Sequence, residues 1–291
     1  GGNPGMKRSL KCQKAYFAQL AGGAACLLLC VGLFGCASDP STTSTSGAAP
    51  AAARPPTKVA RAEGEETDLR NRARLRFELA ISYFDQGQTN VALDELKQVL
   101  VLDPNLAEAY NLRGLIFMRL NDTRLAEESF QRALALNPGD SGTLHNYGWF
   151  LCQQARYPES FQAFSRARAN PMYLDRSKTY LAQGLCEARS GDRVKAERSL
   201  TRSYEMDAGN PVTGYNLALL LYGRGELTRA QFYIRRLNNS EQANSESLWL
   251  GIKVERKLNN PEAMRQLGDQ LKRRFPQTKE AGRYERGEFD D

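Results

Sequence analysis

The chain has 291 residues and a formal net charge of +7. Lys7, Arg8, Lys11 and Lys14 place +4 of that charge in residues 1–35, which hold no acid, so the remainder carries only +3. So slight a balance, with no clustered basic face, argues against a nucleic-acid partner, because neutralising phosphates requires concentrated cations.

Met6 reads as the start of translation. A cationic segment follows it, then the apolar run 27–34 (Leu-Leu-Leu-Cys-Val-Gly-Leu-Phe), then Gly35 and Cys36, the order of an export signal. Leu33-Phe34-Gly35-Cys36 resembles the lipobox of bacterial lipoproteins. That resemblance implies cleavage before Cys36 and lipidation of its thiol and freed amine. An uncleaved membrane helix over 15–35 is the alternative, but Gln19 and the many small residues dilute the run. Ala37 stands where aspartate would signal inner-membrane retention, so the expected location is the outer membrane, on its periplasmic face, held by the lipid. Several acyl chains at about 0.8 kcal/mol per buried methylene anchor firmly. Residues 36–66 lack large apolar side chains and read as a flexible tether with a reach of roughly 30 Å.

From residue 73 the chain repeats itself. Small residues recur at Ala80, Gly114, Gly148, Gly184, Ala218 and Gly251, at intervals of 34, 34, 36, 34 and 33. Twelve residues after each stands another small one (Ala92, Ala126, Ser160, Ala196, Ala230, Ala263). Four further on comes a bulky apolar residue: Leu96, Phe130, Phe164, Leu200, Ile234 and Leu267. This is the pattern of paired helices, A and B, whose small residues mark close approach, with the bulky residue expected to fill the gap toward the next pair. Gly87, Asn121, Gly191, Gly225 and Asn259 fall where each hairpin reverses. Asp103-Pro104, Asn137-Pro138, Asn170-Pro171 and Asn210-Pro211 are expected to cap and begin the next A helix. The 36-residue interval predicts an insertion around residues 171–173.

These residues resemble the tetratricopeptide repeat family. The resemblance implies an all-α fold, a right-handed superhelix of about six repeats over residues 67–276, followed by a tail at 277–291. Unit four departs from the pattern, with Glu187 at an aromatic position. In such stacks the A helices line a concave groove. The expected lining is Phe77, Ile81 and Phe84 from unit one, Asn111, Leu115, Met118 and Arg119 from unit two, and His145, Trp149 and Gln153 from unit three. Later units would add Leu181, Leu185, Tyr215, Leu219, Tyr222, Leu248 and Ile252, although superhelical twist would equally make several of these core. So apolar and aromatic a groove suits an apolar or amphipathic segment of a partner protein.

Of the six cysteines only Cys152 and Cys186 lie in the repeats, each inside a helix. They are expected to be small buried thiols rather than a bridge, although an oxidising periplasm would permit one. His145 is the only histidine, so no histidine-based triad or metal cluster can be assembled. No phosphate loop is apparent, and Glu127-Glu128 and Asp290-Asp291 read as solvated charge. The expectation is a protein without catalysis, cofactor, metal or small-molecule substrate.

The unit-three stretch 144–152 (Leu-His-Asn-Tyr-Gly-Trp-Phe-Leu-Cys), Gly184-Leu185-Cys186, and 248–252 (Leu-Trp-Leu-Gly-Ile) are similar to segments of the type IV pilus biogenesis lipoprotein family, the PilF/PilW-type pilotins. That resemblance implies an outer-membrane lipoprotein that binds secretin subunits of the type IV pilus and promotes their localisation and assembly. A different lipoprotein scaffold, recruiting peptidoglycan hydrolases or serving outer-membrane barrel assembly, fits the same fold.

Overall fold

The structure is a computed structural model that describes residues 58–289, so the signal, Cys36, the tether as far as residue 57, and Asp290-Asp291 lie outside the described residues. Among the described residues there are thirteen helices and no strand. In chain order they are α1 (Lys58–Asp85), α2 (Thr89–Leu102), α3 (Ala107–Leu120), α4 (Thr123–Leu136), α5 (Ser141–Gln153), α6 (Tyr157–Ala169) and α7 (Arg176–Arg189). They continue with α8 (Arg193–Met206), α9 (Pro211–Gly223), α10 (Leu227–Asn238), α11 (Ser245–Lys257), α12 (Pro261–Arg274) and α13 (Lys279–Glu285). Two compact units meet in sequence between Asp103 and Pro104.

The first unit is the hairpin α1–α2. Ala80 on α1 and Ala92 and Leu96 on α2 are wholly buried, and Arg76 donates to Glu95 at 2.7 Å across the pair. Helix α1 begins at Lys58, inside the segment expected to be tether.

The second unit holds five hairpins, α3–α4 to α11–α12, and each helix packs on its successor. The small residues act as the spacing implies. An added Cβ at Gly114 would stand 2.7 Å from the Phe130 ring, at Gly148 2.8 Å from Phe164, and at Gly184 2.7 Å from Leu200. The bulky residue therefore seats on the A helix of its own hairpin, and only then reaches toward the next. Phe130 has Tyr147 and Phe150 of α5 at ring-centroid distances of 6.0 and 5.8 Å. The second small position is equally tight: Ser160 is buried, and its hydroxyl donates to the Gly148 carbonyl at 2.7 Å.

The reversals expected at Gly87, Asn121, Gly191, Gly225 and Asn259 all adopt left-handed backbone, with φ of 77°, 61°, 91°, 78° and 55°. Unit three does the same with Ala155, at φ 58°. After several of these turns an acid or amide caps the B helix: Asp122 accepts from the Leu125 N–H, Asp192 from Lys195 and Asn260 from Ala263.

The Asx-Pro pairs behave differently from expectation. Only Asn210-Pro211 opens a helix, with Asn210 accepting from the Val212 and Thr213 N–H groups. Asp103, Asn137 and Asn170 instead terminate the preceding B helix, and the proline lies in the linking turn. The cap of α5 is Asp140, which accepts from Thr143 at 2.6 Å. The interval between units three and four is longer because residues 170–175 separate α6 from α7, against 137–140 one unit earlier.

Residues 277–289 are not a bare tail. Thr278 caps α13, and Ala281, Tyr284 and Phe289 join Leu248, Trp249, Ile252 and Leu271 in one cluster. Phe289 stacks on Trp249 at 5.6 Å. The last hairpin of a repeat stack has an apolar face without a successor, and this short helix covers it.

Candidate functional site

In the first unit, Phe77 is half-buried and Ile81 is 38% exposed, while Phe84 is buried at 6%. In the second unit Asn111, Leu115 and Arg119 of α3 remain partly open and Met118 is buried. Asn111 is engaged, since its side-chain oxygen accepts from the Asn146 amide at 3.1 Å.

The unit-three residues depart most from the expected open groove. His145 and Trp149 are each only 3% exposed, and Gln153 is partly open. The cause is α7. Cys152 and Cys186 form a disulfide with their Cα atoms 5.9 Å apart, which corrects the expectation of two free thiols and holds α7 against α5. From α7, Thr179 places its hydroxyl 2.9 Å from His145 Nδ1 and Arg189 lies 5.1 Å from the centre of the Trp149 ring. The Thr179 hydroxyl also reaches the Tyr173 hydroxyl at 3.3 Å, so one polar chain runs from α5 through α7 to the 170–175 loop. Burial pushes the His145 imidazole down to about 4; Asp175 nearby opposes this and Lys178 reinforces it. Burial likewise pushes the Tyr173 hydroxyl up to about 12. His145 is thus a neutral core residue at pH 7.

Further along, Leu181, Leu248 and Ile252 are core, at 2%, 0% and 0% exposed. Leu185, Tyr215 and Tyr222 are partly open and Leu219 is 41% exposed. Lys253 and Lys257 approach the Tyr222 ring to 5.2 and 4.4 Å from its centre. What stays accessible on the A helices of the second unit is therefore a narrower set, led by Leu115, Leu185, Tyr215, Leu219 and Tyr222. Such a set can hold an apolar or amphipathic segment.

Glu127, expected to be merely solvated, is bound by the next repeat: Tyr147 donates to it at 3.1 Å and Arg156 at 2.6 Å. Arg156 also grips Glu159 through two nitrogens, at 2.8 and 2.6 Å, and these hydrogen bonds raise its pKa. Glu128 stays on the exposed face, paired with Arg124.

The tetratricopeptide repeat family matches residues 107–140, and a related TPR repeat family matches residues 82–121. The type IV pilus assembly protein PilF of Pseudomonas aeruginosa is 28% identical over 249 residues, which is 86% of this chain and 92% of PilF. The crystal structure of PilW, a widely conserved type IV pilus biogenesis factor, matches with a TM-score of 0.66 at 29% identity, over 73% of this chain and 97% of PilW. The chain has the all-α tetratricopeptide repeat fold and is similar to PilF and PilW. The solved structure of P. aeruginosa PilF also matches this repeat protein with a TM-score of 0.66, at 26% identity, over 76% of this chain and 99% of PilF.

Two features of the repeat protein escaped the sequence. Cys152 stands four residues after Gly148 on α5 and Cys186 two after Gly184 on α7, so the bridge joins non-equivalent positions of neighbouring A helices. A cysteine on each of two successive A helices was the available signal. No signal marked Ala155, because alanine says nothing of left-handed backbone.

Proposed function

We propose that this repeat protein is a non-enzymatic scaffold of type IV pilus biogenesis, an outer-membrane lipoprotein pilotin that binds secretin subunits and promotes their localisation and assembly. The observation that carries this reading is its similarity to PilF across 92% of that protein's length, with a matching fold over 99% of the solved PilF chain. A lipid on Cys36 would confine the scaffold to the periplasmic face of the outer membrane, and the tether would let the repeats search a volume beneath it. Binding a secretin segment there raises its local concentration at the membrane where the ring assembles. On the second unit Leu115 and Leu219 are apolar groups open to such a segment; on the first unit, taken by itself, Ile81 is open. The neutral, enclosed state of the only histidine supports a role without catalysis.

Co-purification from a membrane extract tests the proposal. Secretin as the principal partner supports it; peptidoglycan hydrolases or barrel-assembly components in its place refute it in favour of a different scaffold. Replacing Cys36 with Ser should release the protein from the membrane and leave secretin mislocalised. A Cys36→Ser protein that stays membrane-bound would remove the anchor from the account.

A further inference from the structure

Two aromatic side chains on the A helices are each overlain by cations from the A helix that follows. Arg189 of α7 lies 5.1 Å from the centre of the Trp149 ring on α5. On α9, Tyr222 takes two cations from α11, Lys257 at 4.4 Å and Lys253 at 5.2 Å from the ring centre. A ring attracts a cation without neutralising it. Lys253 and Lys257 stand one turn apart on the same helix, a spacing at which like charges repel.

The acids that could offset this charge are placed or engaged elsewhere. Helix α9 carries no charged residue from Pro211 to Gly223. Helix α11 has two acids. Glu255 is wholly buried and bound by Arg235 at 2.6 Å, Gln231 at 2.9 Å and Asn260 at 3.1 Å. Glu246 lies in the first turn of α11, at the opposite end of the helix from Lys257. In the turn after α9, Glu226 is held by Arg224 and Arg229. Lys257 is exposed and enters no ion pair among the described residues. One turn before Tyr222, Leu219 is 41% exposed, so open apolar surface adjoins an ammonium that no carboxylate offsets.

We propose that Leu219 and Tyr222 of α9, together with Lys257 of α11, receive an acidic side chain, a glutamate or aspartate flanked by apolar residues in the partner's segment. The proposal rests on the reading that the open A-helix residues hold a segment of a partner protein, and it adds the chemistry of that segment. Its apolar residues cover Leu219, and its carboxylate pairs with the Lys257 ammonium. Charge complementarity of this kind selects among apolar segments that would otherwise fit alike, and it turns basic ones away.

The test titrates N-acetyl-leucyl-glutamyl-leucine amide into the 291-residue chain, with the glutaminyl analogue as the uncharged control and inorganic phosphate as a bare anion. Backbone amide shifts by NMR should move in residues 219–222 and 253–257 with the glutamyl peptide. The glutaminyl analogue should bind about threefold to fivefold more weakly, the span of one exposed ion pair. That difference should vanish in Lys257→Gln, and Lys257→Glu should reverse it. Equal responses to the two peptides, no response to either, an equal response to phosphate, or an undiminished difference in Lys257→Gln would each overturn the proposal. Purified secretin separates this claim from the reading beneath it. Secretin that binds the natural chain and Lys257→Glu equally tightly removes the acidic contact alone. Secretin that binds neither, with the peptide difference intact, removes the secretin assignment alone.

Discussion

The ring of Phe130 rests on Gly114 so closely that a methyl group there would stand 2.7 Å from it. Sixteen residues separate the two, and the same interval recurs for Phe164 on Gly148 and Leu200 on Gly184. The repeat is thus defined by a contact inside each hairpin, between a missing side chain on the A helix and a large one on the B helix. Burying a ring of that size contributes about 2–3 kcal/mol, and losing the fit forfeits part of it.

Gly114→Ala should therefore destabilise the protein by about 1–3 kcal/mol, against the usual gain of about 1 kcal/mol when alanine replaces a mid-helix glycine. Gly142→Ala, at the start of α5 with only the Asp140 side chain nearby at 3.5 Å, should be neutral or stabilising. Chemical denaturation of both variants checks the pair; equal effects would mean that close approach is not what the small residue provides.

Much of this architecture was legible in the sequence because the packing contacts have a fixed period. All five anticipated turn residues adopt left-handed backbone, and the lengthened junction lies where the 36-residue interval put it. Burial was less legible. His145 and Trp149 occupy positions that face a groove in the generic repeat, but Thr179 and Arg189 of the following A helix cover them here. The periodicity of one hairpin cannot report how tightly the next is drawn in. The same holds for α13, whose Tyr284 lies too far in sequence from its cluster partner Trp249 for any local pattern to connect them.

Ala155 offers a stabilising change. A left-handed alanine costs roughly 1 kcal/mol, which glycine avoids, so Ala155→Gly should raise the melting temperature by a few degrees even though glycine has the more flexible unfolded chain. Ala155→Val should lower it by more, since a β-branched side chain tolerates this backbone worse. A fall in melting temperature for the glycine variant would contradict the assigned φ.

His145 imposes a pH dependence. Its folded-state pKa is lowered to about 4 from an unfolded value near 6.5, so the unfolded chain binds the extra proton between those values. Its contribution is complete above about pH 6.5 and declines as pH falls toward 4, by an amount on the order of 2–3 kcal/mol. The unfolding free energy of His145→Asn, measured from pH 7 to pH 4, should fall less steeply than that of the natural chain. Parallel curves would place the imidazole in water.

The Cys152–Cys186 bridge closes a 34-residue separation, for which chain entropy suggests about 3–4 kcal/mol of stabilisation. A reducing agent should lower the melting temperature of the natural chain and leave Cys152→Ser unchanged. Insensitivity of the natural chain would show that the bridge contributes nothing to its stability.

The most direct test of the account is the affinity of purified type IV pilus secretin for the chain and for two charge-inserting variants, Ile81→Asp and Leu115→Asp. Both sites are at least partly open and neither side chain belongs to the buried core, unlike Phe84 and Trp149, whose loss would damage the fold itself. The account predicts that secretin binds the natural chain and binds each variant about tenfold or more weakly, with helical circular dichroism unchanged. Secretin that ignores the natural chain, or that binds both variants as tightly as the natural chain, would contradict it.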